Sequence, residues 1–267
     1  MLANTMAVTD LRVSYLTNSL ACFQTWSSTY QSRILSLQKS KSKINNSIAL
    51  NDKLAPLQTD DEIISLDQVK RRSKEALINS SDPIVTMKMI DSIQGLGIGH
   101  HLEDEINVQL GRVCDWDASR DLFATSLQFR LLRHNGWSTC SDVFRKFLDK
   151  SGNFNESLNK DIKGMLSLHE ASYLGTKDEE ILKKAMEFSK AHLNDLKPYL
   201  SLEVSKNIGK ALTLPKHLRM ARLEAKNYME EYSKSSNNQI PALLELAKLD
   251  FDMIQSQHQR ELAEICR

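Results

Sequence analysis

The sequence contains few of the residues that turn or interrupt a polypeptide chain. Of its 267 residues, 9 are glycine and 5 are proline, whereas average usage predicts about 32 of the two together. β-Sandwiches and doubly wound α/β folds need many tight turns and glycine-rich loops. The shortage therefore predicts an all-α fold, in which long helices are joined by few connections.

Charge and hydropathy exclude two classes of protein. The 35 basic and 34 acidic side chains give a formal net charge of +1, whereas a nucleic-acid-binding protein needs a strongly basic face. No uncharged apolar stretch approaches the roughly 18 residues of a membrane span. The four cysteines are too sparse for a disulfide framework. We therefore predict no nucleic-acid partner, no membrane span, and free, mostly buried thiols.

Residues 1–50 differ in composition from the rest of the chain. Asp10 is their only acidic residue, while Ser, Thr, Lys and Arg recur. An acid-poor, Ser-rich and basic N-terminus is typical of an organelle transit peptide. We interpret 1–50 as either a plastid transit peptide or a disordered extension, so that plastid and cytoplasm both stay open as the location.

The remaining sequence shows helical spacing almost throughout, and we predict a helical domain over 51–240. Asp82-Pro83 predicts a helix start, because Asp caps the first turn and Pro suits the first helical position. Thr176 and Glu179 fit a capping box, in which the two side chains satisfy each other's backbone N–H groups. A shorter helix is predicted around 143–148.

The last segment, 241–267, carries the strongest helical pattern. It follows the linker-like stretch Ser233–Gln239, and its apolar residues repeat at alternating three- and four-residue steps. We interpret it as the first helix of a further, missing helical domain, and its apolar face predicts a helical partner through 241–267. His258 lies on that face and is either a satisfied core histidine or a contact with the partner.

The most metal-like group of residues is the run from His100 to Glu105. Its residue types are suitable ligands, but on a helix only His100 with Asp104, or His101 with Glu105, share a face. Acids at a helix N-terminus also complement the helix dipole. We therefore interpret this run as a helix start and not as a metal site.

The acidic clusters do not fit a diphosphate-bound magnesium site, which needs the pattern D-D-x-x-D. After Asp60 and Asp61 the fifth position is Ile64. Asp117 and Asp121 share a helix face, but capping explains them better.

Other noticeable residues also have structural explanations. Arg71-Arg72 predicts a solvated helix face, and Trp116 and Trp137 predict core contacts. Phosphate-loop, dinucleotide-binding, nucleophile-elbow and zinc-protease motifs are all absent from the sequence. We therefore assign no catalytic, cofactor-binding or metal-binding residue.

Several stretches together resemble plant terpene synthases. Met89–Ile106 is similar to the family signature I-D-x-I-Q-R-L-G-I-x-Y-H-F-E-x-E-I, with Gly95 in place of Arg, His100 in place of Tyr and Leu102 in place of Phe. The other similar stretches follow in order: Asp121–Arg133 (D-L-x-A-T-A-L-x-F-R-L-L-R), Asp161–Leu174 (D-V-K-G-L-L-S-L-Y-E-A-S-Y-L), Leu223–Tyr228 (L-E-A-R-W-Y) and Leu243–Arg267 (L-L-E-L-A-K-L-D-F-N-x-x-Q-x-x-H-Q-x-E-L).

The resemblance implies an α/α-barrel of the terpenoid-cyclase (toroid-like) kind, with 241–267 opening the family's class I catalytic domain. In the family, that domain ionises a prenyl diphosphate such as geranyl or farnesyl diphosphate. It uses Mg²⁺ (or Mn²⁺) held by D-D-x-x-D and N-S-E/D-T-E motifs. Neither motif occurs in this sequence, so no metal-binding or catalytic residue is carried over from the family.

The resemblance thus predicts the N-terminal portion of a plant terpene synthase, whose full-length form converts a prenyl diphosphate to a terpene with loss of diphosphate. By itself this chain is then a catalytically incomplete scaffold. The family's R-R-x8-W motif is not present, because Ser81 stands where Trp is required after Arg71-Arg72. In lacking this motif, the sequence resembles the family members that make acyclic alcohols. The alternative is a non-catalytic interaction protein derived from the family, which pairs with another helical domain.

Overall fold

The computed structural model describes residues 60–118, 121–234 and 239–266, with side chains from residue 65 onward. Within these ranges there are nine α-helices: α1 (Asp60–Ile78), α2 (Pro83–Gly95), α3 (Glu103–Val113), α4 (Leu122–His134), α5 (Ile162–Ser172), α6 (Glu180–Leu196), α7 (Leu202–Thr213), α8 (Ala221–Lys234) and α9 (Pro241–Ile265). Short 3₁₀ turns lie between them at Gly99–His101, Ser141–Phe147, Glu156–Lys160, Lys197–Tyr199 and Lys216–Leu218.

The prediction of an all-α protein is confirmed. In the described ranges, extended pairing is limited to one antiparallel bridge between Leu148 and Phe154. None of the described helices combines the length and the apolar character that a membrane crossing requires. The predicted transit peptide or extension, 1–50, lies outside the described residues, and the domain boundaries 51–240 and 241–267 stay predictions.

Helix α4 lies between two apolar cores and contributes to both. Leu127 and Leu131 pack in the first core with residues of α1, α2, α3 and α9, whereas Leu122 and Phe129 pack in the second with residues of α5 and α6. A helix that is apolar on more than one side has to be covered on more than one side. The apolar residues on two sides of α4 therefore account for its position between the two cores.

Helix α9 has a buried first half and an exposed second half. Leu243, Leu246 and Ala247 are buried in the first core, where α9 packs on α1. From residue 255 to residue 266 every residue is exposed, including Leu262 and Ile265, which are 61% and 81% exposed. Within the described structure, only the first half of this apolar stripe is therefore buried.

Two predicted helix caps are confirmed. Asp82 precedes α2 and accepts a hydrogen bond from the Val85 N–H at 2.8 Å, with Pro83 at the first helical position. Asp121 precedes α4 and accepts one from the Ala124 N–H at 2.9 Å. Each carboxylate satisfies an N–H group that has no partner within its helix.

The predicted capping box at Thr176 and Glu179 forms only in part: Glu179 binds Thr176, but Thr176 does not cap the helix. Glu179 accepts hydrogen bonds from the Thr176 N–H at 2.9 Å and from the Thr176 hydroxyl at 3.1 Å, but α6 begins only at Glu180. The reason is Arg133 of α4, whose Nη2 and Nη1 lie 2.5 and 2.6 Å from the two Glu179 carboxylate oxygens. Arg133 lowers the pKa of Glu179 to about 2.

Two further expectations need correction. Residues 143–148 do not form an α-helix, because the 3₁₀ turn Ser141–Phe147 leads directly into the bridge at Leu148. The described thiols are free, as predicted, but not mostly buried. Cys114 is half-buried, and Cys140 and Cys266 are exposed because they lie in a surface turn and on the exposed end of α9; Cys22 lies outside the described residues.

Candidate functional site

His100 and His101 lie in a 3₁₀ turn and not on a helix, because α3 begins only at Glu103. The chain leaves α2 through Gly97, whose φ of 78° is readily adopted by glycine. The interpretation of this run as a helix start is thus confirmed at Glu103, whereas the two histidines precede the helix and share no helix face with Asp104 or Glu105. Glu105 instead pairs with Lys74 of α1, at 2.7 Å.

Both histidines point at Asp250 of α9. Their Nε2 atoms lie 3.0 Å (His100) and 2.9 Å (His101) from Oδ1 of Asp250, and Nη1 of Arg222 lies 3.1 Å from its Oδ2. We call these four residues the histidine–aspartate cluster. The Asp250 side chain is 1% exposed, His101 10% and His100 52%. The cluster thus runs from a buried carboxylate to the solvent.

The Asp250 carboxyl group is held in its ionised form. Burial works to raise its pKa, but hydrogen bonds from His100, His101 and Arg222 outweigh burial and hold the pKa far below the usual range. The sequence analysis missed Asp250, although a signal was present. The residue interrupts the buried face of α9 one turn after Leu246 and Ala247, and a buried carboxylate needs partners.

A second charged group, the half-buried charge network, connects α2, α4 and the Lys216–Leu218 turn; the side chains of Asp91, Arg130 and Lys216 are 25%, 14% and 31% exposed. Asp91 lies 3.0 Å from Nη1 of Arg130 and 2.9 Å from Nζ of Lys216. Burial works to raise the pKa of Asp91, but the two cations outweigh it and hold the pKa well below its usual value. Glu170 and Arg219 extend the network, at 3.3 Å.

The half-buried charge network lines a cavity of about 280 Å³. Each of its charges is matched by an opposite charge, since Asp91 faces two cations and Arg219 also pairs with Glu224 at 3.1 Å. A diphosphate site needs cations that are available to the ligand. The network therefore fits a role in holding helices together better than a role in binding phosphate.

Asp117 and Asp121, the acidic-cluster residues whose side chains are described, both have structural partners. Asp121 is occupied as the cap of α4, and Asp117 lies 3.4 Å from Lys146. Asp60 and Asp61 open α1, and their side chains are not among those described.

The other residues singled out from the sequence lie either against the core or on the surface. Trp116 and Trp137 are half-buried against the first core, as predicted. Arg71 and Arg72 are exposed, also as predicted, and Arg72 lies 2.6 Å from Glu245 of α9. His258 is exposed, so its interpretation as a core histidine is wrong, while its contact with a helical partner stays a prediction.

The histidine–aspartate cluster does not fit Mg²⁺. Magnesium prefers an octahedron of oxygen ligands, and this cluster offers two imidazole nitrogens and one carboxylate. Within the described residues it is the one group of three or more such side chains close enough to hold an ion.

Comparison with known proteins identifies the family of this sequence. A family model for the terpene synthase N-terminal domain matches residues 35–212. A probable terpene synthase of Ricinus communis is 53% identical over 213 residues, which are 79% of this chain and 37% of that protein. A chloroplastic monoterpene synthase of Cananga odorata is 48% identical over 200 residues, which are 75% of this chain and 34% of that protein.

Solved structures agree with the sequence matches. The crystal structure of isoprene synthase from grey poplar leaves, in complex with three Mg²⁺ ions and dimethylallyl-S-thiolodiphosphate, is 36% identical and superposes with a TM-score of 0.72. The match covers 77% of this chain and 40% of that one. The chain thus spans little more than a third of its relatives, and the predicted terpenoid-cyclase type of helical fold is confirmed. The chain belongs to the plant terpene synthases and carries their N-terminal helical domain.

Proposed function

We propose that this chain is the N-terminal scaffold of a plant terpene synthase whose full-length form converts a prenyl diphosphate to a terpene with loss of diphosphate. The observation that carries the proposal is the 53% identity to the Ricinus communis relative, which extends over 79% of this chain. Geranyl and farnesyl diphosphate are the two substrates to distinguish. The relative named a monoterpene synthase favours the shorter one.

The described charges support a structural role for this part of the enzyme. The half-buried carboxylate of Asp91 and the buried carboxylate of Asp250 each face arginine, lysine or histidine at hydrogen-bonding distance. Among the described side chains, no group of three or more acids lies close enough together to hold an ion. We place the Mg²⁺ (or Mn²⁺) chemistry in the portion of the relatives that this chain does not match.

The exposed half of α9 is the surface through which we expect this scaffold to meet another helical domain. Leu262 and Ile265 follow the same apolar stripe that is buried in the first half of the helix. Covering them against a second set of helices removes apolar area from water, at about 25 cal/mol per Å². The catalytic helices of the full-length enzyme are the proposed occupant.

An assay of two proteins tests the proposed function. The purified chain is incubated with Mg²⁺ and either geranyl or farnesyl diphosphate, and products are measured by gas chromatography. A chimera that joins the chain to the unmatched remainder of the Ricinus communis relative is assayed in parallel. We expect product from the chimera alone. Turnover by the chain alone contradicts the scaffold role, and a folded chimera that converts neither substrate contradicts the enzymatic one.

We also propose that the protein is directed to the plastid by residues 1–50. Their acid-poor, Ser-rich composition and the chloroplastic relative support this location. A fusion of residues 1–50 to a fluorescent protein tests it, with plastid fluorescence as the expected result. Fluorescence spread through the cytoplasm, as for the fluorescent protein alone, contradicts it.

A further inference from the structure

We propose that His100, His101 and Asp250 form a binding site for a divalent transition-metal ion, with Zn²⁺ as the expected ligand. This site is separate from the magnesium chemistry proposed for the full-length enzyme, because its donor atoms differ in kind.

The donor atoms already converge on one point. The ligand atoms of the three side chains lie within 4.8 Å of one another, and the two Nε2 atoms lie 3.0 and 2.9 Å from the same carboxylate oxygen. Ligands of a tetrahedral zinc ion, at about 2.0–2.1 Å from the metal, are about 3.3 Å apart. The two Nε2–Oδ1 distances are thus within a few tenths of an ångström of that spacing.

The two imidazole rings are oriented for this role. Their centroids are 4.0 Å apart, their planes are inclined by 43°, and both present Nε2 to the same carboxylate oxygen. When the ion enters, a neutral imidazole carries its proton on Nδ1 and leaves Nε2 free to bind the metal.

The Asp250 carboxylate is held ready to act as a ligand. It is 1% exposed, and Arg222 of α8 binds Oδ2 at 3.1 Å, which leaves Oδ1 directed at the histidines. Metal-binding carboxylates are commonly oriented by such a second hydrogen bond. The 52% exposure of the His100 side chain provides a path for the ion and room for water as a fourth ligand.

The residue types select the class of metal. Imidazole nitrogen suits Zn²⁺, Cu²⁺ and Ni²⁺, whereas Mg²⁺ and Ca²⁺ prefer oxygen. The second imidazole is also a departure of this chain from its family signature, which carries Tyr where His100 stands. The substitution His100→Tyr therefore removes one ligand and introduces a residue that the family fold accommodates.

A titration with Co²⁺, a coloured substitute for Zn²⁺, tests the site. The tag-free full chain is titrated with Co²⁺ while visible absorption is recorded, and Zn²⁺ is then added to displace it. We expect saturation at one equivalent and loss of the absorption on adding Zn²⁺. The H100Y variant is expected to bind Co²⁺ at least about tenfold more weakly, since losing even an outer partner of a metal costs that much.

His258→Gln is the matched control, because His258 is an exposed histidine on the same helix as Asp250. It should leave the Co²⁺ titration unchanged. Circular dichroism establishes that each variant is folded, and His100→Ala replaces H100Y if the tyrosine variant does not fold. Equal Co²⁺ affinity in the native chain and in the folded position-100 variant overturns the proposal, as does loss of binding in H258Q.

Discussion

The backbone of Gly95 lies directly against the ring of Tyr228. A Cβ atom at Gly95 would lie 2.9 Å from Cε1 and 3.0 Å from Cδ1 of that ring, inside the usual contact distance of carbon atoms. The ring is held in place, because its hydroxyl lies 3.1 Å from Oγ of Ser92. This contact joins α2 to α8 and leaves no room for the Arg that the family signature carries at position 95.

Gly95→Ala is expected to lower the free energy of unfolding by about 1–3 kcal/mol, the usual cost of overpacking. The loss should shrink or change sign when Tyr228 is replaced by Leu, because alanine favours a helix over glycine by about 1 kcal/mol once the ring is gone. Urea unfolding of the single and double variants measures the coupling. An equal loss in both backgrounds contradicts the contact.

Asp91→Asn is expected to lower the free energy of unfolding by about 2 kcal/mol, because the half-buried pair lies between an exposed ion pair, at roughly 1 kcal/mol or less, and a buried one, at about 3–5 kcal/mol. It leaves Arg130 and Lys216 without the carboxylate that compensates them. The control is Asp142→Asn, which removes an exposed ion pair with Arg145 and should cost less than about 1 kcal/mol. Urea unfolding that finds equal losses in the two variants contradicts a structural role for the network.

Residue 169 is expected to make stability depend on pH. Burial, with a smaller contribution from Lys190, lowers the pKa of His169 to about 4, whereas an unfolded histidine titrates near 6.5. Between these values the unfolded chain binds the proton and the folded chain does not, so stability falls as pH falls from about 6.5 to 4.

The variant His169→Tyr, which restores the family residue, should lose that dependence, a difference of about 3 kcal/mol in total. Urea unfolding midpoints of the native chain and H169Y between pH 4 and 7.5 provide the measurement. Parallel pH profiles for the two proteins contradict the assignment.

The exposed end of α9 is expected to make the isolated chain self-associate. Replacing both Leu262 and Ile265 with Lys should lower the mass measured by light scattering, because the uncovered apolar stripe is lost. The control replaces Ser256 and Ala263 with Lys, which adds the same charge on the opposite side of the helix. A native chain that stays monomeric at high concentration contradicts the expectation, and so does equal dispersal by both pairs.

Features determined by neighbouring residues could be predicted from the sequence. The cap at Asp82-Pro83 needs only the next few residues, and the apolar steps of 241–267 are visible as a stripe. The all-α fold follows from helical spacing together with scarce Gly and Pro. Each of these features depends on residues that are close together in the sequence, and each is present in the structure.

Features that depend on distant residues could not be predicted. Asp250 meets His100 across 150 positions of sequence, and this meeting exists only once α9 has packed on the rest of the fold. Arg133 likewise diverts Glu179 from the predicted capping box across 46 positions. The exposure of Cys140 and Cys266 is tertiary as well, since a thiol's residue type does not determine which side of a fold it occupies.

Because α9 is buried in its first half and exposed in its second, a small rotation at the buried half becomes a large displacement at the exposed end. Asp250 is the last buried residue of the helix, and Ile265 lies about 22 Å beyond it at 1.5 Å per residue. A rotation of about 5° at the buried half therefore moves the exposed end by about 2 Å. The contacts that His100, His101 and Arg222 make with Asp250 are therefore those of the buried half that lie nearest to Leu262 and Ile265.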